Sequence, residues 1–361
     1  MPEEQDNQIE RREPGGISRR SETARRGMNA AGYVAGLAKA ESGSASAVSK
    51  EDTFEQALDR YLSAPHEFLL KWGTYGTGNG EFYQPKGIAV ASNGSVYVAD
   101  TGNHRIQKFT SEGVFVSKWG TAGAADGEFN NPHDVAVASD GSVYVADFWN
   151  CRIQKFTPEG VLVSKWRIDG MGDGEFNFPA SVAVSSDGSV YIAANFNHRI
   201  GKFTSEGVLV TRWGTYGTGD GEFAVPSGVS VSSDGSVYVA DTDNHRIQKF
   251  TSEGVFVSKW GITGAADGEF DHSKGIAVAS DGSVYVADSG NERIQKFTSE
   301  GVFVLKWGTN GEGDGQFGVP WGVAVASNGS IYVANSDNHR IQKSDSDYHR
   351  MQRYSQSHFS R

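Results

Sequence analysis

The 361-residue chain has one cysteine, Cys151, and no run of 18 apolar residues. A single cysteine excludes an intrachain disulfide framework and any zinc module built on several cysteines. The missing apolar run argues against a membrane-spanning helix. Basic residues are also scarce, since the formal net charge is −11 at neutral pH. A general affinity for nucleic acid, which depends on lysine and arginine, is therefore not expected.

The first 65 residues differ from the rest of the chain. Residues 1–48 are polar and lack hydrophobic periodicity, so we predict a disordered segment there. Apolar residues in 49–65 recur at helical spacing, which predicts an amphipathic helix. We interpret this helix as packing on the domain that follows, with a dimerisation or partner helix as the alternative. The N-terminal arginines are mixed with acidic residues, and no apolar signal-peptide core follows, so the sequence favours a cytoplasmic protein.

A pattern of 47 residues repeats six times between residues 66 and 343. The same step separates six arginines and six tryptophans: Arg105, Arg152, Arg199, Arg246, Arg293 and Arg340, and Trp72, Trp119, Trp166, Trp213, Trp260 and Trp307. Each repeat holds four short runs rich in Val, Ile, Tyr and Phe, separated by glycine-containing turns. Four short antiparallel strands per unit are typical of a β-propeller blade.

The two ends of the repeat array complement each other. The run 67–73 matches the fourth strand of a repeat, whereas the last repeat lacks that strand. Pairing the two would complete the sixth blade and leave no open sheet edge. We therefore predict an all-β fold, a six-bladed propeller with four antiparallel strands per blade over residues 66–343. Strand 67–73 would close the ring, and a disordered polar tail would follow over residues 344–361.

The repeat unit resembles an NHL repeat. The resemblance rests on Glu81-Phe82, on Pro85-Lys86-Gly87, and on the run Gly-Ser-Val-Tyr-Val-Ala-Asp-Thr-Gly-Asn-His-Arg-Ile-Gln-Lys-Phe that ends at Phe109. It covers residues 66–343 and implies a six-bladed propeller. Domains of this family serve in protein binding, RNA binding, sensing and, in some lyases, catalysis. The resemblance therefore implies the fold more strongly than the function.

Three polar residues recur together where the second strand ends and the third begins: Asp100, Asn103 and Arg105. We interpret them as structural, with the aspartate pairing with the arginine and the asparagine shaping the turn. Six copies of one constellation are expected from blade architecture rather than from six active sites. Trp72 and its five counterparts are expected to fill the gap between the outer strands of neighbouring blades.

Strand direction alternates, so the turns between second and third strands share one face with the loops that join blades. We call this the loop face, and the opposite, uniformly acidic face the turn face. Only the loop face varies between repeats, and variable loops on a repeated scaffold are where binding usually resides. Its candidate partner-binding residues are Tyr83, Lys86, His133, Phe148, Trp149, Phe178, Phe196, Arg199, His272, Lys274 and Trp321.

Two repeats break the aspartate–arginine pair. Ala194 stands at the aspartate position of the third repeat, before Arg199, and Asn335 at that of the sixth, before Arg340. We expect these two arginines to bind an anionic group of a partner; the alternative is that a neighbouring aspartate satisfies them. Cys151 replaces a histidine of the turn, and a plain turn residue is expected there.

These observations predict a monomeric, non-enzymatic scaffold that binds a protein or peptide through the loop face and needs no cofactor. One alternative is single-stranded RNA binding by the same face. The 21 basic and 31 acidic residues of 66–343 count against it. A second alternative is a substrate-recognition adaptor related to NHL-type ubiquitin ligases, since the lone cysteine excludes a RING module.

A metal-dependent lyase is the remaining alternative. His133 with Asp134, and Asp271 with His272, could supply metal ligands. The two pairs belong to opposite blades, and no spacing in the sequence is expected to bring imidazoles together. We therefore predict no metal site and no catalytic residue.

Overall fold

A computed structural model describes residues 67–167 and 177–345. These residues form six four-stranded sheets in which neighbouring strands are antiparallel. The predicted six-bladed propeller is confirmed. The predictions for residues 1–48 and 49–65, and for all but the first two residues of the tail, lie outside the described residues. Within the two described ranges no helix is long and apolar enough to cross a membrane.

The strands follow the repeat in order, and the turns between second and third strands in blades 1, 4 and 5 are short 3-10 helices (Thr101–Asn103, Thr242–Asn244 and Ser289–Asn291). Blade 1 contains β2 (Ile88–Val90), β3 (Val96–Asp100), β4 (Arg105–Phe109) and β5 (Phe115–Trp119); blade 2 contains β6 (Pro132–Val137), β7 (Val143–Asp147), β8 (Arg152–Phe156) and β9 (Leu162–Arg167); blade 3 contains β10 (Pro179–Val184), β11 (Val190–Ala194), β12 (Arg199–Phe203) and β13 (Leu209–Trp213). Blade 4 contains β14 (Pro226–Val231), β15 (Val237–Asp241), β16 (Arg246–Phe250) and β17 (Phe256–Trp260); blade 5 contains β18 (Ser273–Val278), β19 (Val284–Asp288), β20 (Arg293–Phe297) and β21 (Phe303–Trp307); blade 6 contains β22 (Pro320–Val325), β23 (Ile331–Asn335), β24 (Arg340–Ser344) and β1 (Phe68–Trp72).

Strand β1 closes the ring as the sequence predicts. It pairs antiparallel with β24, with Trp72 opposite Ile341 and Phe68 opposite Ser344. The Asp345 backbone N–H donates to the Glu67 carbonyl at 3.0 Å, which extends the pairing beyond the strand. Because β24 includes Ser344, the predicted start of the tail at residue 344 is wrong by at least this residue.

The hydrophobic core lies between blades rather than within them. Six clusters each combine the second strand of one blade with side chains of the next, as where Tyr332 and Ile341 pack with Val96 and Phe109. The second-strand tyrosines are at most 1% exposed: Tyr97, Tyr144, Tyr191, Tyr238, Tyr285 and Tyr332. Buried rings that span the blade interface make each blade depend on its neighbours for burial.

Trp72, on the outer strand of blade 6, packs on the third strand of blade 1 and on the second strand of its own blade. Its ring centre is 5.8 Å from that of Phe109 and 6.2 Å from that of Tyr332. Gly113, in the adjacent turn, has φ of +77°, and a Cβ there would lie 2.7 Å from the indole. Only glycine meets both demands, since it tolerates positive φ and leaves room for the ring.

A buried aspartate ties the loop face to each regular blade. In blade 1 the Asp100 carboxylate accepts hydrogen bonds from Arg105 Nε at 2.6 Å and from the Tyr83 backbone N–H at 2.8 Å. The Arg105 guanidinium also donates to the carbonyls of Thr77 and Glu81, which belong to the loop that enters the blade. The same centre recurs at Asp147, Asp241 and Asp288. This network holds the loops in place and thereby positions the variable residues.

Candidate functional site

The first strand of each blade begins at the loop-face end of a central cavity. The six first strands line this cavity, which has a volume of about 260 Å³. One residue near the start of each first strand occupies the same repeat position: Lys86, His133, Ala180, Ser227, Lys274 and Trp321. These positions carry the largest chemical differences between blades.

Two lysines from different blades converge on one tryptophan. Lys86 Nζ lies 4.2 Å, and Lys274 Nζ 5.2 Å, from the ring centre of Trp321. The attraction between an ammonium group and an indole face stabilises each contact. Lys86 Nζ is also 2.9 Å from His133 Nε2, so the ammonium donates to an unprotonated imidazole nitrogen. We call Lys86, His133, Lys274 and Trp321 the basic cluster.

Burial shifts the titration of all three basic groups. Desolvation, together with the charge of Lys274, lowers the pKa of Lys86 to about 8. Desolvation likewise lowers the pKa of Lys274, against which the charge of Asp243 acts. The pKa of His133 is held well below its usual range by desolvation and by the two lysine charges. The basic cluster therefore carries positive charge that the fold does not neutralise at close range.

The carboxylate nearest in sequence to the cluster is used by the fold. Asp134 Oδ2 accepts from Ser181 Oγ at 2.7 Å and from the Val182 backbone N–H at 3.0 Å, both in the next blade. Burial raises the pKa of this carboxyl to about 6, and the donated hydrogen bonds oppose that rise. Asp134 thus joins blade 2 to blade 3 through these hydrogen bonds. It forms no ion pair with the described lysines. The sequence suggests for Asp134 only the role of a metal ligand beside His133.

The predicted aromatic residues of blades 2 and 3 form one continuous strip. His133 stacks on Phe148 with ring centres 3.8 Å apart and 13° between their planes. Phe178 then lies 5.3 Å from Phe148 and 5.2 Å from Trp149, and 5.0 Å from Phe196. We call Phe148, Trp149, Phe178 and Phe196 the aromatic strip; His133 joins it to the basic cluster. The exposed fraction of the side chain is 53% for Trp149 and 56% for Phe196, but only 6% for Phe148.

Two of the predicted residues lie in clusters of their own. Tyr83 packs edge-on against Tyr75 at 5.5 Å and contacts His339 at 5.8 Å. His272 lies 4.7 Å from His245 between ring centres, and its Nδ1 is 2.6 Å from the Asp271 carboxylate. The structure therefore brings eight of the eleven predicted residues together and leaves Tyr83 and His272 apart from them. The eleventh, Arg199, begins β12 three residues after Phe196.

The expectation that no imidazoles come together is wrong. Ligand atoms of His245, Asp271 and His272 all lie within 4.8 Å of one another, a spacing that a divalent cation could bridge. His245 ends a turn of blade 4, whereas Asp271 and His272 belong to the loop entering blade 5. Spacing within a single repeat cannot reveal this contact, because it joins residues of adjacent repeats.

The two arginines with altered partners are engaged by the fold. Arg340 is 8% exposed and donates to the carbonyls of Glu312 at 2.6 Å and Gly313 at 2.9 Å. The expectation that it is available to an anionic partner is therefore wrong. Arg199 Nε donates to the Asn197 carbonyl at 3.4 Å. In blade 3 the carbonyls equivalent to those that accept from Arg340 belong to residues 168–176, which lie outside the described residues. The role of Arg199 therefore stays a prediction.

Sequence inspection missed the function of the turn histidines. His104 Nδ1 accepts the Asn131 backbone N–H of the next blade at 3.1 Å, and His339 Nδ1 accepts that of Gln84 at 3.2 Å across the ring closure. His198 and His245 make the same bond to Val225 and His272. All four histidines have positive φ. In three of these bonds the donor lies 27 residues after the histidine, across a repeat boundary, and this constant step is their signal in the sequence. Cys151 occupies this position in blade 2 with φ of +47°.

The neutral state of His133 makes the folded state sensitive to acid. Its folded pKa is depressed, so its contribution to stability is complete above about pH 6.5, the ordinary pKa of histidine, and is lost as pH falls below that value. We expect the urea midpoint of unfolding to fall between pH 7.5 and pH 5, and to fall less in His133→Asn. Asp134 contributes with the opposite sign, because its raised pKa favours the fold at lower pH.

The difference between wild type and His133→Asn isolates the histidine from that opposing contribution. His272→Asn, which changes a side chain 54% exposed and outside the basic cluster, is the matched control. An equal acid shift in wild type and His133→Asn would contradict the assignment.

Comparisons with known proteins agree with this architecture. The NHL repeat model matches residues 82–109, 129–156, 176–203, 223–250, 274–297 and 317–343. Over 48 residues the chain is 48% identical to the B-box type zinc finger protein ncl-1 of Caenorhabditis elegans and 46% identical to Protein brain tumor of Drosophila melanogaster. That stretch is 13% of this chain but only 6% and 5% of those two proteins, so it covers a small part of each.

Solved structures share the fold at low sequence identity. A protein of unknown function from Bacteroides thetaiotaomicron matches with a TM-score of 0.60 and 17% identity, covering 76% of each chain. A streptogramin B lyase matches with a TM-score of 0.54 and 16% identity, covering 77% of this chain and 97% of the lyase. Such likeness shows the fold alone. With six matched repeats on six closed blades, the chain belongs to the NHL repeat family.

Proposed function

We propose that the protein is a non-enzymatic scaffold that recognises a protein or peptide through the aromatic strip of the loop face. The observation that carries this proposal is the contact chain from His133 to Phe196 across blades 2 and 3. The corresponding turn in blade 1 has Thr101 and Gly102 where blade 2 has Phe148 and Trp149. The strip is therefore an addition to the blade pattern and is not required by it.

The strip combines a rigid base with exposed edges. Phe148 is buried against His133 and Phe178, so the rings below the surface have little freedom. Trp149 and Phe196 present more than half of their side-chain area to solvent. Interface hot spots are rich in tryptophan and other large anchors held in place before binding, since little side-chain entropy is then lost. This arrangement supports recognition of apolar side chains on a partner.

Single-stranded RNA is the second candidate, because stacked aromatic rings next to lysines are also the means by which such strands are bound. The basic cluster supplies only two lysines, and the repeat region carries more acidic than basic residues. A long polyanion needs basic residues along its whole path. The observations therefore favour a protein or peptide, and a substrate-recognition adaptor would be one form of that function.

The exposed anchors give a direct test. Peptides selected from a random library on the wild-type protein are expected to bind Trp149→Ala/Phe196→Ala more than about tenfold more weakly, because hot-spot truncation costs about 2 kcal/mol or more. Tyr216→Ala is the matched control, since Tyr216 is 74% exposed and lies outside the strip. Affinities measured by calorimetry at one salt concentration decide the outcome.

Equal affinity of the selected peptides for wild type and the double variant would move the binding surface elsewhere. A fluorescent 20-nucleotide single strand of random sequence is titrated in parallel. The RNA candidate would be favoured if wild type binds this strand, if the double variant does not, and if the affinity falls steeply as salt rises. It would also require that the selected peptides bind wild type and the double variant equally well.

A further inference from the structure

The lysines of the basic cluster are not required by the propeller fold. At the same repeat position blade 3 has Ala180 and blade 4 has Ser227, and both blades form regular first strands. Two partly buried ammonium groups that repel each other are unfavourable for folding, because desolvation and like charge both oppose them. A feature that the fold does not need and that costs stability indicates a site for a ligand.

The charges around the cluster leave it open to an anion. Lys86 faces His133 on blade 2, Lys274 on blade 5 and the Trp321 ring on blade 6. No carboxylate among residues 67–167 and 177–345 lies within ion-pair distance of either lysine, although Asp243 acts on Lys274 from farther away. Asp134 is engaged with Ser181.

We infer that Lys86, Lys274 and Trp321, with His133 as support, form a pocket for one carboxylate group of a bound peptide. The two ammonium groups would flank the carboxylate oxygens, and the indole would form an apolar wall beside them. His133, at 2.9 Å, holds Lys86 in place. The inference rests on the proposed function, since the pocket adjoins the aromatic strip through His133 and Phe148.

Two properties favour a single carboxylate over a nucleic-acid strand. The positive charge is confined to the start of two first strands, whereas the turns of the opposite face are acidic. The indole of Trp321 already has both ammonium groups as partners, at 4.2 and 5.2 Å from its ring centre, and a base that stacked on it would compete with them. A peptide with an apolar anchor on the strip and an acidic group in the pocket meets both conditions.

Matched probes test the pocket. N-acetyl-Trp-Glu-amide and its Gln counterpart differ by one carboxylate, and calorimetry at pH 7 measures both. Wild type is expected to prefer the Glu probe by about tenfold, in keeping with the coupling measured for desolvated charge pairs. Lys274→Met is expected to abolish the preference. Lys118→Met, which removes the same charge from an exposed lysine of an outer strand, is expected to retain it.

A pH series separates charge from structure. Affinity of wild type for the Glu probe is expected to fall as pH rises from 7 to 9.5, because Lys86, with a pKa of about 8, loses its proton in that range. Lys86→Arg keeps its charge throughout and is expected to show a smaller fall. A merely structural lysine would give the same pH profile in both proteins.

The possible outcomes are distinct. Equal binding of the two probes to wild type, an undiminished preference in Lys274→Met, or the absence of any binding of the Glu probe would each overturn the pocket. Inorganic phosphate is titrated as a further arm, and a Lys274-dependent signal with phosphate but none with the Glu probe would assign the pocket to a phosphate group instead. Peptides that lose affinity in Trp149→Ala/Phe196→Ala but not in Lys274→Met would leave the proposed function standing without the pocket.

Discussion

Replacing Asp241 with alanine is expected to lower the free energy of unfolding by about 3–5 kcal/mol, the cost of leaving a buried charge without its partner. Asp241 is fully buried and accepts Arg246 Nε at 2.7 Å. It also accepts the Ala224 backbone N–H at 2.7 Å and Gln248 Nε2 at 3.0 Å. The Asn244 side-chain amide donates to it as well, at 2.9 Å. The substitution therefore removes the acceptor of four donors and the counterion of one guanidinium group at once. Urea unfolding followed by far-UV circular dichroism measures the change.

Asp241→Asn is the matched variant, because blade 6 carries asparagine at this position naturally. Asn335 still accepts the Gly318 backbone N–H at 2.9 Å, while the neighbouring Arg340 Nε has no hydrogen-bond partner. Asp241→Asn is thus expected to cost less than Asp241→Ala. Asp234→Ala, in an exposed turn, should change the midpoint little. Equal midpoints for Asp241→Ala and Asp234→Ala would show that the buried centre is dispensable.

Blade 3 shows what happens when the aspartate is lost. Ala194 replaces the aspartate there, and Gly201 stands where the other blades have the glutamine that donates to it. Both changes remove members of one hydrogen-bond network, so neither leaves the other unsatisfied. In blade 3 the aspartate and the glutamine that would donate to it are thus absent together, whereas blade 6 keeps the glutamine, Gln342, beside Asn335.

The fold could be read from the sequence because each blade repeats the same local rules. Period, strand runs and turn glycines all recur at 47 residues, and the unmatched strands at the two ends indicate closure. Contacts between blades could not be read in this way. The hydrogen bond from Tyr332 Oη to the Ser111 carbonyl and the bond between His339 and Gln84 join residues more than 200 positions apart. Such partners are fixed by ring geometry, which sequence spacing alone does not express.

The candidate site was predictable in composition but not in arrangement. Departures from the repeat pointed to Phe148 and Trp149, yet only the structure shows that one is buried and the other exposed. The two residues are adjacent on the same turn, and a single step in the chain reverses the direction of the side chain. Likewise, Lys86 and Lys274 are 188 positions apart, and they converge because the ring brings blades 1 and 5 to either side of Trp321.

Removing β1 is expected to have the second large effect. A chain that lacks residues 1–73 loses the four residue pairs that join β1 to β24 and the packing of Trp72 against the core between blades 6 and 1. Loss of a fully buried tryptophan costs about 3–5 kcal/mol, and the partly buried Trp72 adds a share of that to the loss of strand pairing. Since 1 kcal/mol corresponds to about 2–4 °C in a domain of this size, the melting temperature should fall by roughly 10 °C or more. The exposed edge of β24 should also promote association, which light scattering would detect.

The control for this deletion is a chain that lacks only residues 1–66 and so retains β1. A circular permutant provides the rescue: it begins at residue 74 and carries residues 66–73 after residue 345, joined by a short glycine-containing turn. The geometry permits this connection because Asp345 N–H and the Glu67 carbonyl are hydrogen-bonded at 3.0 Å, the spacing of a hairpin end. Recovery of the melting temperature in the permutant would show that strand pairing, not chain order, closes the ring. If the chains lacking residues 1–73 and 1–66 melt together, closure by β1 does not stabilise the propeller.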